Sequence, residues 1–247
     1  THKINLEISD YFNNVSTLNF KVKSTNNPFL IRCPLPKDTI NTSFRFNEEN
    51  IFQKDNINLH MQPFSLYEPI MFNYNITDSL EGVYGEVHHL HYNTVPVHKK
   101  YTLAIKANLP EKLKKKAYIA TTDMKGHFWY IGGKWNNGYL KTKAKVFGDF
   151  CIIVDTIKPE IRGLNIFPEK VLTSQQTIKL ILKDKESGIK SFRGEIDGKW
   201  ILLDYDHKQN LVRFDIDNNI IKGEHIFTLK VIDNVGNIAK YEAEFSY

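Results

Sequence analysis

Apolar and polar residues alternate along many short stretches of this chain. An alternation with a period of two places every second side chain on one face, as in a half-buried β-strand. The short stretches are separated by Gly, Asn, Asp and Pro, which favour turns. The pattern therefore predicts an all-β fold. The expected strands cover residues 57–61, 71–74, 101–105, 117–120, 127–131, 177–182, 192–196, 199–204 and 211–216. Turns are expected at Gly132-Gly133 and Asn136-Asn137-Gly138.

The C-terminal part of the chain has the clearest pattern. Asp197-Gly198 lies between two alternating stretches, and this dipeptide favours a two-residue type I′ hairpin. About seven short strands with a turn every 8–12 residues are typical of an antiparallel sandwich. Residues 159–247 are therefore predicted to form an immunoglobulin-like β-sandwich, with Trp200 in its core.

The start of the chain repeats a pattern found near its end. Residues 1–20 resemble residues 224–241, with one constant offset and no gap between the matched positions, and each copy is predicted to be a strand, a polar turn and a second strand. The positions that agree are His2, Leu6, Ile8, Asp10 and Asn14, which align with His225, Leu229, Val231, Asp233 and Asn237. We therefore expect residues 1–24 to be the closing hairpin of an upstream immunoglobulin-like module. Residues 25–158 are expected to form a further β-sandwich domain, giving tandem antiparallel sandwich modules.

Composition and charge exclude several classes of function. The formal net charge is +5, and no apolar run approaches the roughly 18 residues of a membrane span. The basic tract at residues 112–116 is predicted to be a solvated loop, and no motif indicates nucleic-acid binding. The two cysteines, Cys33 and Cys151, lack the spacing of a zinc site. Cys151 lies in an apolar run, which favours a free buried thiol over a disulfide.

Two groups of residues are candidate metal ligands. On a strand, His89 and His91 would share a face, as two zinc ligands do, and with His88 they raise the hypothesis of a hydrolase site. A polar strand face is the simpler interpretation. Asp184, Glu186 and Asp233 offer oxygen ligands for calcium, although turn chemistry explains these carboxylates more simply.

Three aromatic residues raise the hypothesis of a ligand-binding surface. Trp129, Tyr130 and Trp135 flank a pair of glycines, and exposed aromatic faces with a few polar neighbours bind sugars and other ligands. The alternative is that these side chains belong to the core. The pattern has no nucleophile elbow and no phosphate-binding loop, so no catalytic residue is assigned.

Several motifs together resemble a known family. The chain is similar to the region downstream of the catalytic domain in lysostaphin-type zinc endopeptidases of the cell wall from Bacteroidetes-like bacteria. The motifs that carry the resemblance are Val95–Leu103, Gly132–Trp135, Phe147–Phe150, Asp155–Pro159, Ser187–Ile189, Ile196–Trp200 and Asp233–Asn237.

The resemblance implies a role without catalysis in this chain. The family holds zinc with an H-x-x-x-D pair and a later H-x-H, and no histidine here has an aspartate four residues on. His89-Leu90-His91 has only the H-x-H form. The resemblance thus implies that this chain holds no cofactor. It also implies that the partner of this chain is a catalytic domain upstream of residue 1, and that this domain holds the zinc. It also implies a periplasmic or extracellular location and contact with peptidoglycan or envelope proteins. The alternative is a stand-alone carbohydrate-binding or adhesive envelope module.

Overall fold

A computed structural model describes residues 1–23, 39–54, 56–78, 80–123, 125–172, 177–216 and 220–247. The hairpin β1–β2 lies in one compact unit and the other strands lie in a second. The elements are β1 (His2–Ser9), β2 (Val15–Val22), β3 (Ile40–Phe44), β4 (Asn50–Lys54), β5 (Ile57–Met61), β6 (Ile70–Thr77), β7 (Val87–Leu90), β8 (Tyr101–Lys106), α1 (Glu111–Lys114), β9 (Ala117–Thr122), β10 (Phe128–Gly132), β11 (Lys134–Asn136), β12 (Tyr139–Ala144), β13 (Gly148–Val154), β14 (Glu160–Gly163), β15 (Lys170–Val171), β16 (Thr177–Lys183), β17 (Ile189–Ile196), β18 (Lys199–Ile201), β19 (Asp204–Asp206), β20 (Leu211–Asp215), β21 (Glu224–Asp233) and β22 (Ile238–Ser246).

The first sandwich consists of two antiparallel sheets that enclose one core. One sheet has the order β10-β9-β13-β7-β6-β3 and the other β11-β12-β8-β5-β4. Both sheets contribute buried side chains to a single cluster, for example Phe72 and Ile119 from one sheet and Leu59 and Leu103 from the other. Phe72 also stacks on Phe44 with 4.4 Å between ring centroids. The alternating apolar positions of the sequence thus face each other across this core.

The second sandwich has immunoglobulin-like topology. Its sheets have the orders β14-β16-β20-β19 and β15-β22-β21-β17-β18. If β14 is strand A and β22 is strand G, these orders are ABED and A′GFCC′, the arrangement of immunoglobulin-like sandwiches. The turn at Asp197-Gly198 has positive φ at both residues, as a type I′ hairpin requires. The predicted fold class, tandem antiparallel sandwiches that end in an immunoglobulin-like module, is therefore confirmed.

The sequence repeat extends to hydrogen bonds. In the turn between β1 and β2, Asp10 Oδ1 accepts the Asn14 amide at 2.9 Å, and Asn14 Nδ2 donates to Asp10 Oδ2 at 2.7 Å. In the turn between β21 and β22, Asp233 and Asn237 make the same two bonds at 2.7 Å each. The two turns therefore have the same local structure. Whether β1–β2 closes an upstream module stays a prediction.

Two local predictions in the first sandwich are wrong. Gly132-Gly133 does not form a turn, because the chain runs from β10 in one sheet to β11 in the other. Gly133 lies so close to Leu140 that a Cβ would approach its side chain to 2.8 Å, so close packing explains this glycine. The basic tract is not simply a loop, since α1 forms one helical turn within it.

Trp200 was expected in the core, but its side chain is 57% exposed. It lies on β18, the edge strand of its sheet, opposite Glu195 of β17. The next residue, Ile201, points inward and is buried. The side chains of β18 thus alternate as predicted, but Trp200 lies on the outer face of the sheet. The predicted strand 199–204 also divides, since β18 and β19 belong to different sheets.

Candidate functional site at the junction of the two sandwiches

Asp155 lies where the first sandwich ends and the second begins, directly after β13. Its carboxylate is buried, and its Oδ1 atom accepts the Ile157 amide at 2.9 Å. Its Oδ2 atom accepts the Ser187 hydroxyl at 2.6 Å, from the turn before β17. The Asp155 amide donates to the Lys116 carbonyl oxygen at 3.0 Å. This one residue therefore ties the linker to both sandwiches.

Asn237 closes the same junction from the β21–β22 turn. Its Nδ2 atom donates to the carbonyl oxygens of Asp155 and Ile157, both at 3.1 Å. It also donates to Asp233 Oδ2 at 2.7 Å, and Asp233 Oδ1 accepts the Val235 amide at 3.0 Å. Asp155, Asp233 and Asn237 are buried, and a buried carbonyl that loses its partner is left unsatisfied. The linker is therefore held by the last hairpin of the second sandwich.

A third carboxylate, Asp184, lies beside these two. Its Oδ1 atom accepts the amides of Glu186 and Gly188 at 3.1 and 2.7 Å, which shapes the turn between β16 and β17. Ligand oxygens of Asp155, Asp184 and Asp233 all lie within 4.8 Å of one another. Burial raises the pKa of Asp184, and the negative charges of the other two carboxylates add to that increase. The turns therefore bring three acids together.

The outer face of the six-stranded sheet meets this cluster. Tyr118 of β9 is buried on that face among Cys151 and other apolar side chains, and Val235 of the last hairpin packs against the same group. Lys116 Nζ donates to the Val235 carbonyl oxygen at 3.3 Å. Burial raises the pKa of Tyr118, and the charges of nearby acids, including Asp155 and Asp184, raise it further. The phenol therefore lies at the edge of the acid cluster.

The candidate zinc ligands His89 and His91 have separate partners. His89 Nδ1 lies 2.5 Å from Asp149 Oδ1, and its Nε2 atom lies 3.1 Å from the Thr77 hydroxyl. β7 ends at Leu90, and His91 has a φ of 53°, so the alternation of a strand does not extend to it. Its Nδ1 atom contacts Asn73 Oδ1 at 3.2 Å. In the described part of the chain, the two imidazoles are not part of a group of close ligand atoms.

His88 and His91 lie in poorly solvated surroundings. Burial lowers the pKa of each to about 4, and the neighbouring His89 contributes to the shift of His88. His88 Nδ1 lies 3.0 Å from the Tyr74 hydroxyl. Both imidazoles are therefore neutral at physiological pH.

The three candidate aromatic residues have different environments. Trp129 is 53% exposed, whereas Tyr130 and Trp135 are partly buried, and Trp135 donates its indole N–H to the Lys114 carbonyl at 2.7 Å. Trp129 lines a groove of about 570 Å³ together with Tyr92, Asn93, Asp123 and Asp149. The aromatics thus do not form one platform, and Trp129 alone presents an open ring face.

Sequence patterns missed the role of Asp155 and Tyr118. Asp184 and Asp233 were identified as turn residues with oxygen ligands, and the structure shows those turns. Asp155 was interpreted only as part of a linker, although its position directly after a buried strand was a usable signal. Tyr118 gave no signal, because a tyrosine in an apolar strand is ordinary. Cys33 lies outside the described residues; Cys151 is a buried thiol without a disulfide partner among the described residues.

These features define an all-β protein of tandem sandwiches joined through a buried polar junction. The family model of the Zu5-like domain matches residues 41–155, which span the first sandwich and end at the junction aspartate. No curated protein matches the chain. Among solved structures, the fibronectin(III)-like modules of CbhA from Clostridium thermocellum share 12% identity, with 60% of this chain and 85% of that chain covered. The TM-score is 0.30, which is too low to indicate a common fold. No helix in the described ranges is long and apolar enough to cross a membrane.

Proposed function

We propose that this chain is the non-catalytic accessory region of a secreted or periplasmic cell-wall zinc metallopeptidase. It positions a catalytic domain that lies upstream of residue 1. The supporting observation is the junction, because three motifs that carry the family resemblance meet there. Residues 155–159, 187–189 and 233–237 are far apart in sequence, yet Asp155, Ser187 and Asn237 are joined by hydrogen bonds. A junction of this kind suits a spacer that keeps a fixed direction between modules.

The first hairpin supports a continuation of the array. Its turn repeats the hydrogen bonds of the β21–β22 turn, but its apolar residues Leu6, Ile8 and Leu18 are exposed. At the aligned positions of the last hairpin, Leu229 and Val231 are buried in a core. Exposed apolar strands are unfavourable in water, so we propose that β1–β2 belongs to an upstream sandwich.

The coding sequence upstream of Thr1 is the first test. The proposal requires an H-x-x-x-D pair and a later H-x-H about one domain before this start. The second test compares release of peptidoglycan fragments by the full-length protein and by its Asn237→Ala variant. A loss of rate at unchanged zinc content supports a positioning role. An upstream sequence that contains only further sandwich modules refutes the proposal.

The groove at Trp129 supports a second candidate function, a carbohydrate-binding envelope module. Its exposed indole ring lies among the carboxylates of Asp123 and Asp149, and sugar sites combine an aromatic face with polar groups. Retention of the chain on peptidoglycan and on simple glycans measures this activity. Trp129→Ala is expected to abolish retention, whereas Trp200→Ala, at an equally exposed tryptophan of the other sandwich, is expected to leave it unchanged. Equal retention of both variants refutes this function.

A further inference from the structure

The acid cluster at the junction has more negative charge than its surroundings balance. Asp155 and Asp233 are 1% and 0% exposed, and Asp184 is half-buried. Backbone amides stabilise each carboxylate separately, but they do not remove the repulsion among three charges within 4.8 Å. Among the described residues, no Lys, Arg or His forms an ion pair with any of the three. Lys116 Nζ reaches the last hairpin but donates to the backbone carbonyl of Val235.

Tyr118 provides an independent observation at the same place. Its side chain is 1% exposed, and its hydroxyl has no hydrogen-bond partner among the described residues. Buried hydroxyls normally have a partner, because an unsatisfied one is costly. The hydroxyl lies within electrostatic reach of Asp155, Asp184 and Glu186. An unpartnered buried oxygen thus lies within electrostatic reach of a group of acids that forms no ion pair among the described residues.

The geometry points to a calcium site. We propose that Asp155, Asp184 and Asp233 together bind one Ca²⁺ ion, which joins the two sandwiches at their junction. Calcium prefers oxygen ligands at about 2.3–2.6 Å, so oxygens on opposite sides of the ion lie about 4.6–5.2 Å apart. Mg²⁺ binds its ligands at about 2.0–2.1 Å and requires a tighter octahedron. The limit of 4.8 Å among the three carboxylates fits calcium. Calcium also accepts several carboxylates in one site, whereas Mg²⁺ keeps several waters and binds through one or two carboxylates.

The hydrogen bonds of the cluster leave room for this ion. Asp184 Oδ2 has no hydrogen bond within the described part of the chain. Asp155 Oδ1 and Asp233 Oδ2 each accept one hydrogen bond, from the Ile157 amide and the Asn237 side chain, and a carboxylate oxygen can accept two. The turns thus orient the carboxylates before the ion arrives. Waters complete a shell of six to eight oxygens, and the Tyr118 hydroxyl gains either the ion or one of its waters as a partner.

The site has a structural role that follows from where its ligands lie. Asp155 belongs to the linker after the first sandwich, Asp184 to the β16–β17 turn, and Asp233 to the last hairpin. An ion bound by all three joins elements that hydrogen bonds already connect. Binding therefore stabilises the folded junction by linkage, since the unfolded chain has no preformed site. This inference does not depend on whether the parent protein is a peptidase.

Calcium titration of the whole chain tests the proposal. After treatment with a chelator, the melting temperature is measured against CaCl2 and, separately, MgCl2. The expected result is a saturable increase with Ca²⁺ in roughly the 0.1–1 mM range found for extracellular modules, and a smaller one with Mg²⁺. Terbium luminescence excited through tyrosine gives a second readout, because Tyr118 adjoins the site, and Ca²⁺ should displace the signal. An unchanged melting temperature with no displaceable terbium signal overturns the proposal.

Matched variants assign the effect to the cluster. Asp184→Asn keeps an oxygen acceptor for its turn but removes the charge, and it should weaken Ca²⁺ binding at least tenfold. Asp206→Asn is the control, since Asp206 accepts the Lys208 amide at 2.9 Å in a similar turn outside the cluster. Tyr118→Phe should reduce the terbium signal without lowering the melting temperature in chelator. Equal Ca²⁺ affinities for the two asparagine variants overturn the assignment.

Discussion

The junction predicts a large effect for Asn237→Ala. The side-chain amide of Asn237 contacts the buried Asp155 carbonyl and the Ile157 carbonyl at 3.1 Å each, and the Asp233 carboxylate at 2.7 Å. A hydrogen bond contributes about 1 kcal/mol net, and one to a charged group about 1.5 kcal/mol or more. The two hydrogens of the Asn237 amide serve three acceptors, so the variant should lower the free energy of unfolding by about 2–3 kcal/mol. Urea denaturation followed by circular dichroism measures this loss, with the midpoint reduced and the m-value unchanged.

Asn14→Ala is the matched control for this measurement. Asn14 occupies the aligned position in the first hairpin and bonds Asp10 in the same way, but it makes no bond to a junction. Its effect on the unfolding of the sandwiches should stay below about 0.5 kcal/mol, as for an exposed surface substitution. A loss for Asn237→Ala as small as that for Asn14→Ala refutes the reasoning, because the bonds of Asn237 to the linker would then contribute nothing.

Three further predictions concern the first sandwich. Burial lowers the pKa of His88 to about 4, so the unfolded state binds more protons than the folded state between pH 6.5 and 4. The free energy of unfolding should therefore fall by up to about 3 kcal/mol as the pH falls through that window. His88→Gln should flatten this part of the profile of stability against pH, measured by urea denaturation. Gly133→Ala should cost about 1–3 kcal/mol in thermal unfolding, because the new Cβ meets Leu140 at 2.8 Å, and the same change should cost less in a Leu140→Ala background. Burial raises the pKa of Cys151 to about 12, so in a Cys33→Ser background its thiol should react with a disulfide reagent only after denaturation.

The period-two pattern predicted the sheets well because it reports on local alternation. It located the type I′ turn at Asp197-Gly198 and the hairpin repeat, since both depend on residues close in sequence. It was wrong at Trp200, where alternation gave two faces but not which face was buried. Gly133 shows the same limit. A glycine is needed there because Leu140 of another strand packs against it, and a pattern of neighbouring residues cannot reveal that contact.

The sequence predicts only part of the acid cluster, because a local pattern does not report contacts between distant residues. Asp184 and Asp233 were found as turn residues, because an Asx turn is a local structure. Asp155 joins them only after the two sandwiches have packed. Its Oδ2 atom accepts the hydroxyl of Ser187, which lies 32 positions later in the sequence. The histidines show the opposite error. A close pair in sequence suggested a shared site, but β7 ends at Leu90 before the second histidine.

The central claim is that the junction holds the two sandwiches in one arrangement. Spin labels at Met71→Cys and Leu202→Cys, both exposed sites on different sandwiches, measure it directly in a Cys33→Ser background. The account predicts one narrow distribution of label-to-label distances, which broadens in the Asn237→Ala variant. A broad distribution in the protein with an intact junction would contradict it.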